Sequence, residues 1–152
     1  MDFCKRSIDD GVASHLPTSP KRRSLSSKLS DDVFTIQIVE VQPREIQRYI
    51  TPDGRIPFAE WLNSLRDRKA ILIIDNRLRR IRLGNFGDCR SVGEGVCELR
   101  IDYGSGYRIY FGQIGTTIVL LLYGGDKSTQ AQDIRKAQEY WRDYERREDA
   151  DQ

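Results

Sequence analysis

Two neighbouring segments of the chain, residues 96–103 and residues 107–111, place charged residues and a tyrosine between apolar residues. The polar members are Glu98, Arg100 and Asp102 in the first segment and Arg108 and Tyr110 in the second. Alternation with a period of two predicts β-strands, so these side chains should share one sheet face. Guanidinium groups hold phosphate oxygens, and a phenol can stack on a base or transfer a proton. The pattern predicts either a phosphodiester site or ordinary polar pairs on a solvated sheet face.

The loop between these segments sets their expected register. Residues 104–106 are Gly-Ser-Gly, and glycines supply the positive φ angles that a three-residue hairpin loop needs. Such a loop keeps one face apolar, with the pairs Leu99–Phe111, Ile101–Ile109 and Tyr103–Tyr107. The pairs on the opposite face would be Arg100–Tyr110 and Asp102–Arg108.

Lys127 adds a further cation, because it follows the apolar segment of residues 116–123 where the chain turns towards a helix. Backbone amides at the start of that helix would also favour an anion. An ionised tyrosine is unfavourable at an ordinary pKa of about 10, but nearby arginines are expected to lower the pKa of Tyr110. The candidate site residues are therefore Arg100, Arg108, Tyr110 and Lys127.

The composition excludes several other chemistries. The 152 residues include one histidine, His15, which lies in a Ser/Pro-rich stretch. Ser–His and Cys–His nucleophile systems and histidine-bound metals are therefore not expected. The three cysteines show no metal-ligand spacing, and their odd number argues against a disulfide framework. We expect a reducing cytoplasm and no metal or other cofactor. The longest apolar run has six residues, far fewer than the roughly 20 of a membrane span.

Hydrophobic periodicity predicts a domain that contains both helices and strands. Strands are indicated over residues 33–41, 44–51, 96–103, 107–111 and 116–123. Apolar residues at i, i+3, i+4 and i+7 predict a helix from Pro57 and a second one over residues 69–83, which Gly84 would end. A last helix is expected from Ser128 or Thr129 to about Arg147.

The two ends of the chain differ from its centre. Residues 1–32 combine prolines, serines and cations without an apolar face, so we expect a disordered extension. The alternative is that translation starts at Val33 or Val39, so that the residues before it are an artefact of the assigned start site. We place the folded domain at residues 33–147 and an acidic tail at residues 148–152.

The near balance of 25 Lys+Arg and 23 Asp+Glu hides an uneven distribution. Residues 44–138 hold 16 cations and 11 anions, whereas residues 139–152 hold three cations and six anions. Four cations lie on the helix predicted over residues 69–83, away from its apolar stripe: Arg77, Arg79, Arg80 and Arg82. They indicate either a solubilising surface or one that faces phosphates.

Several motifs occur together and in order along the chain. They are residues 53–58 (DGRIPF), Trp61-Leu62, residues 83–87 (LGNFG), residues 98–110 (ELRIDYGSGYRIY), residues 124–130 (GGDKSTQ), and Asp133 with Tyr140-Trp141. Over about residues 44–147 they resemble the RelE/ParE toxin superfamily, nearest to its HigB-like addiction module killer protein branch. The resemblance implies a small α+β, RelE-like domain. Two N-terminal helices would pack on a curved, mostly antiparallel sheet of about four or five strands, followed by a C-terminal helix.

The resemblance also implies the toxin of a type II toxin–antitoxin pair. RelE-like members bind the ribosomal A site and cut mRNA without a metal, whereas ParE-like members poison DNA gyrase. In the RelE-like group the arginine of the Gly-Tyr-Arg strand is catalytic, which corresponds to Arg108. Lys127 is the nearest match to a basic residue after the last strand, and Arg100 lies where these enzymes place basic residues. The domain departs from the best-known pattern in having Asp102 near these cations and no histidine.

Our leading hypothesis is a cytoplasmic, ribosome-dependent mRNA endoribonuclease that inhibits translation and has a helix-turn-helix antitoxin as partner. In this hypothesis Arg108 and Lys127 stabilise the phosphorane formed by attack of the 2′-hydroxyl, and Arg100 positions the RNA backbone. Tyr110 would stack or transfer a proton. The four arginines of the second helix would bind ribosomal RNA. The alternatives are a ParE-like inhibitor of DNA gyrase and a non-catalytic remnant that only binds an antitoxin; no membrane partner is expected.

Overall fold

The structure, a computed structural model, describes residues 42–152 as one sheet flanked by helices. The elements are β1 (Glu45–Arg48), α1 (Pro57–Ser64), α2 (Arg68–Arg82), β2 (Cys89–Gly93), β3 (Val96–Ile101), β4 (Tyr107–Ile114), β5 (Ile118–Asp126), a 3₁₀ turn (Lys127–Thr129) and α3 (Gln130–Ala150). The strand expected over residues 33–41 and the tail expected over residues 1–32 lie outside the described residues.

The five strands form one mixed sheet with the order β1-β5-β4-β3-β2. β1 runs parallel to β5, and the other three pairings are antiparallel. β5 is buried on both faces from Val119 to Leu122, as its nearly continuous apolar sequence predicts. The strand continues through Gly124 and Gly125, beyond its predicted end. The α+β class is therefore confirmed.

Helices cover both faces of this sheet. On one face α1 and α2 contribute Phe58, Ile74 and Ile81 to a core that includes alternate residues of β3, β4 and β5. On the other face α3 contributes Ala137 and Trp141 to a second core. A strand in the middle of the sheet therefore buries both of its alternating sets of side chains, and a polar residue there is not automatically solvated.

Local signals fix the ends of the helices. The side chain of Asp67 caps α2 by accepting hydrogen bonds from the backbone N–H groups of residues 69 and 70, at 2.9 and 3.2 Å. Gly84 has a φ of 88° and follows the last turn of α2, so its predicted role as the C′ residue is confirmed. α3 reaches Ala150, so residues 148–150 of the predicted tail are helical. None of these helices within residues 42–152 has both the length and the apolar composition to cross a membrane.

The predicted register of the β3–β4 hairpin is wrong by two residues. The strands are joined by residues 102–106 rather than by three residues, and Ile101 pairs with Tyr107. As a result Arg100 lies opposite Arg108, and Glu98 lies opposite Tyr110. A shift of two residues keeps every side chain on its original face, so apolar alternation could not distinguish the two registers.

Candidate functional site

Three of the four predicted site residues line one open cleft at the β3–β4 loop. The cleft has a volume of about 330 Å³. Its lining residues are Asp88, Arg100, Asp102, Gly104, Ser105, Gly106, Arg108 and Lys127. The structure therefore brings Arg100, Arg108 and Lys127 together, as predicted, and leaves Tyr110 outside.

The sheet and the loop position these cations. Arg100 on β3 and Arg108 on β4 are directly opposite in the corrected register. The backbone N–H of Lys127 donates to the carbonyl of Gly106 at 2.8 Å, which ties the residue after β5 to the hairpin loop. The backbone N–H of Arg100 donates to the carbonyl of Asp88 at 2.9 Å, which brings the loop before β2 to the cleft.

The three cations differ in their environment. Arg100 and Lys127 are exposed, and Nε of Arg100 lies 3.9 Å from Oδ2 of Asp88. Arg108 is only 7% exposed, and one terminal nitrogen, Nη1, donates to the carbonyl of Tyr107 at 3.2 Å. Its Nε is buried without a hydrogen-bond partner. Arg108 is therefore fixed by its surroundings, whereas the other two cations can adjust to a ligand.

Behind Arg108 lies a fully buried carboxylate, Glu98, which is 0% exposed. It accepts hydrogen bonds from Nε of Arg90 at 3.1 Å, from Nε2 of Gln130 at 2.7 Å and from the hydroxyl of Tyr110 at 3.3 Å. Its Oε1 lies 3.8 Å from Nε of Arg108. The alternative of a solvated sheet face is therefore wrong for Glu98, because α3 covers the face at this position.

The role predicted for Tyr110 is also contradicted by its position. Its side chain is 0% exposed, so it cannot stack on a bound base. Burial raises the pKa of Tyr110 above its ordinary value, and the negative charges of Glu98 and Asp133 and the hydrogen bond to Glu98 raise it further. Arg108 lowers this pKa, as predicted from the sequence, but its effect is the smallest. Tyr110 remains protonated and supports Glu98.

The backbone amides before α3 are used within the chain rather than free for an anion. The N–H of Ser128 donates to Oδ1 of Asp126 at 2.8 Å, and that of Lys127 is bound to Gly106. The hydroxyl of Thr129 donates to Oδ2 of Asp133, a buried carboxyl whose pKa is raised by burial. The expected anion site on these amides is therefore not formed.

The four arginines predicted as an RNA-binding surface divide into two groups. Arg79, Arg80 and Arg82 are exposed on α2, and Arg79 forms an ion pair of 2.8 Å with Asp75. Arg77 is half-buried, and its Nη2 donates to the carbonyl of Phe86 at 3.2 Å. Burial lowers the pKa of Arg77. Three of the four side chains can therefore reach an external phosphate.

Sequence reasoning found Asp102 but missed Asp88, the other carboxylate that lines the cleft. Asp88 lies in the loop before β2, where no periodic pattern marks it, and the short strand β2 itself was not predicted. The burial of Glu98 did have a signal. α3 carries an apolar stripe that must cover a sheet face, and α1 and α2 already cover the other. Within residues 42–152, no three His, Cys, Asp or Glu side chains are grouped as ligands for a metal ion.

Comparisons with known proteins give one relative. No protein-family model and no solved structure matches the chain. A Haemophilus influenzae protein, described as an uncharacterized protein, is 48% identical over 82 residues, which make up 54% of this chain and 83% of that protein. The chain therefore belongs to the same family as this Haemophilus influenzae protein.

Proposed function

We propose that this protein is the toxin of a type II toxin–antitoxin pair and that it cleaves mRNA on the ribosome without a metal ion. The observation that carries the proposal is the convergence of Arg100, Arg108 and Lys127 on one cleft. Guanidinium and ammonium groups that line one cleft can together hold the oxygens of a phosphate. The motifs that resemble the RelE/ParE superfamily support the same assignment.

The reaction would be attack of an RNA 2′-hydroxyl on the adjacent phosphorus. The new bond joins the 2′-oxygen to phosphorus and the bond to the 5′-oxygen breaks, which gives a 2′,3′-cyclic phosphate and a 5′-hydroxyl end. Arg108 and Lys127 stabilise the negative charge that develops on the phosphorane, and Arg100 holds the backbone. The 2′-hydroxyl proton must pass to a base and the 5′-oxygen must receive a proton. Asp88 and Asp102 line the cleft and are the candidate bases.

The exposed arginines of α2 would provide the contact with the ribosome. Arg79, Arg80 and Arg82 lie on one helix outside the cleft, and phosphate contacts of this kind position a protein on nucleic acid without reading its sequence. Binding through them would be sensitive to salt. The proposal therefore separates the cleft, which carries the chemistry, from α2, which carries the attachment.

The test is induction of the gene followed by growth measurement and primer-extension mapping of translated mRNA. Arg108→Ala should abolish both toxicity and cleavage, because loss of one stabilising donor typically costs about 10²–10³-fold in rate. Arg146→Ala is the matched control, since Arg146 is exposed on α3 and forms an ion pair with Asp143 away from the cleft. If Arg108→Ala remained as toxic as the wild type, the assignment of the site would fail.

The same experiment distinguishes the alternatives. Intact mRNA combined with loss of supercoiling activity and induction of the DNA-damage response would select gyrase inhibition. Absence of toxicity in every assay would leave a protein that only binds an antitoxin. A short reading frame for a helix-turn-helix protein directly beside this gene would support the toxin assignment and supply the partner.

A further inference from the structure

The charge of Glu98 needs an explanation, because a carboxylate without access to solvent is costly to bury unless it is well paired. It contacts side chains of three other elements: Arg90 on β2, Tyr110 and Arg108 on β4, and Gln130 on α3. A buried ion pair is often no more stable than apolar residues of the same volume. Stability alone therefore does not account for a carboxylate at this point of the sheet.

Arg108 is the neighbour through which Glu98 can act on the cleft. Arg90 and Gln130 do not line the cleft, and Tyr110 is buried behind it, whereas Arg108 forms part of its wall. The Arg108 guanidinium is held by burial, by the hydrogen bond from Nη1 to the backbone, and by the Glu98 carboxylate 3.8 Å from Nε. Of these three restraints, the carboxylate is the one that a single side-chain substitution removes while Arg108 itself is kept.

We propose that Glu98 is a positioning residue for Arg108, which it holds in one orientation at the wall of the cleft so that the guanidinium meets the reacting phosphate without rearrangement. This inference rests on the proposed function, in which Arg108 stabilises the transition state. Glu98 does not touch the RNA. Arg90, Tyr110 and Gln130 in turn hold the carboxylate by hydrogen bonds from three different elements.

The proposal predicts a specific kinetic effect. An amide in place of the carboxylate keeps the volume but loses the attraction to the guanidinium, so Arg108 would sample other rotamers. Preorganised donors lower the barrier without tightening ground-state binding. The rate constant of cleavage should therefore fall, while the half-saturating concentration stays near that of the wild type.

The experiment is single-turnover cleavage of a short mRNA on purified ribosomes by the full-length chain. Glu98→Gln should reduce the rate constant at least tenfold with less than a threefold change in half-saturating concentration. In an Arg108→Lys background the same substitution should reduce it less than twofold, because the effect passes through Arg108. Glu94→Gln is the matched control, since Glu94 is an exposed glutamate that forms an ion pair with Arg142 outside the cleft; its rate should be unchanged.

A second measurement does not depend on activity. In ¹⁵N relaxation, the Nε–H group of Arg108 should be as rigid as the backbone in the wild type and mobile in Glu98→Gln. Equal rigidity in both proteins would overturn the inference, and so would equal rate losses from Glu98→Gln in the wild-type and Arg108→Lys backgrounds. If Glu98→Gln does not fold, Gln130→Leu removes the 2.7 Å hydrogen bond to the carboxylate and should still slow cleavage at least threefold; an unchanged rate would refute the positioning role.

The two proposals fail in different ways. Full activity of Arg108→Ala would remove the proposed site, whatever Glu98→Gln does. Loss of activity in Arg108→Ala together with normal activity and a rigid Arg108 in Glu98→Gln would remove the Glu98 inference alone. A chain that cleaves no mRNA would refute the proposed function, and the relaxation measurement would still decide whether Glu98 fixes Arg108.

Discussion

Gly124 lies in β5 directly beneath the ring of Trp61, and replacing it by alanine tests this packing. A Cβ at Gly124 would lie 2.1 Å from Cε3 of Trp61 and 2.4 Å from Cδ2 and Cζ3, whereas carbon atoms in contact are about 3.5–4.0 Å apart. The ring has little room to retreat, because it packs against Phe58 and Tyr107 at centroid distances of 5.7 and 6.4 Å. Gly124→Ala must therefore displace α1 or distort β5, by more than about 1 Å.

Two opposing effects determine the magnitude. Gly124 is not among the glycines with positive φ, so alanine would restrict the unfolded chain and stabilise the protein by about 0.4–1 kcal/mol. Overpacking a well-filled core costs about 1–3 kcal/mol. At the middle of these ranges the steric cost is about 2 kcal/mol and the gain about 0.7 kcal/mol, so the free energy of unfolding should fall by roughly 1.3 kcal/mol and the melting temperature by roughly 3–5 °C.

Urea and thermal unfolding followed by circular dichroism would measure this loss. The control is the same substitution in a Trp61→Leu background, where the ring is absent and Gly124→Ala should be neutral or slightly stabilising. Equal stability of Gly124→Ala and the wild type would refute the reasoning. The same loss in both backgrounds would show that Trp61 is not the cause.

Three further predictions concern side chains whose contacts are described above. The pKa of Tyr110 is raised in the folded state, so its contribution to stability is complete below about pH 10 and is lost as the pH rises above that value. Tyr110→Phe should therefore weaken the fall in the free energy of unfolding at alkaline pH by up to about 1.4 kcal/mol per pH unit. An unchanged fall in urea unfolding would contradict this. Under the proposed function, replacing both Arg80 and Arg82 by Gln should reduce the salt dependence of ribosome binding by about two units in log K against log salt, and an unchanged slope would exclude these two arginines from the interface. Asp67→Ala should lower the free energy of unfolding by about 0.5–2 kcal/mol because α2 loses its cap, whereas Asp67→Asn should lower it much less. Equal losses of the two variants in urea unfolding would refute the capping role.

The elements that the sequence predicts correctly are those with strong local signals. The apolar stripe and Gly84 define α2, and the β-branched apolar run defines β5, because both depend on residues that are close in the chain. The hairpin and the alternation of its strands place Arg100 beside Arg108, and Lys127 follows the next strand along the chain. These features are enough to find the cations of the cleft.

The features that sequence reasoning missed depend on tertiary contacts. The two registers of the hairpin place the same residues on the same faces, so contacts of the loop must select one of them. The backbone N–H of Lys127 donates to the carbonyl of Gly106, and the hydroxyl of Tyr103 donates to Asp67 at 3.1 Å. Tyr110 has the sequence context of a surface residue, and it is buried because α3 returns over its face. The alternation of apolar and polar residues along a strand shows on which face of the sheet a residue lies, but not whether another element covers that face.

The charges of the cleft lead to a last prediction about the substrate. Three cations line the cleft, but Asp88 and Asp102 line it as well, and Glu98 lies behind Arg108. The attraction of this cleft for a free polyanion is therefore weak, since opposite charges at short range cancel its field. In the proposed function the binding energy comes from outside the cleft, because the exposed arginines of α2 contact ribosomal RNA while the mRNA lies in the cleft. Free mRNA should accordingly be cleaved at least 100-fold more slowly than the same mRNA on ribosomes, and Asp102→Asn should tighten binding of free RNA while slowing cleavage. Equal rates on free and ribosome-bound mRNA would show that the cleft binds its substrate unaided and would remove the role assigned to α2.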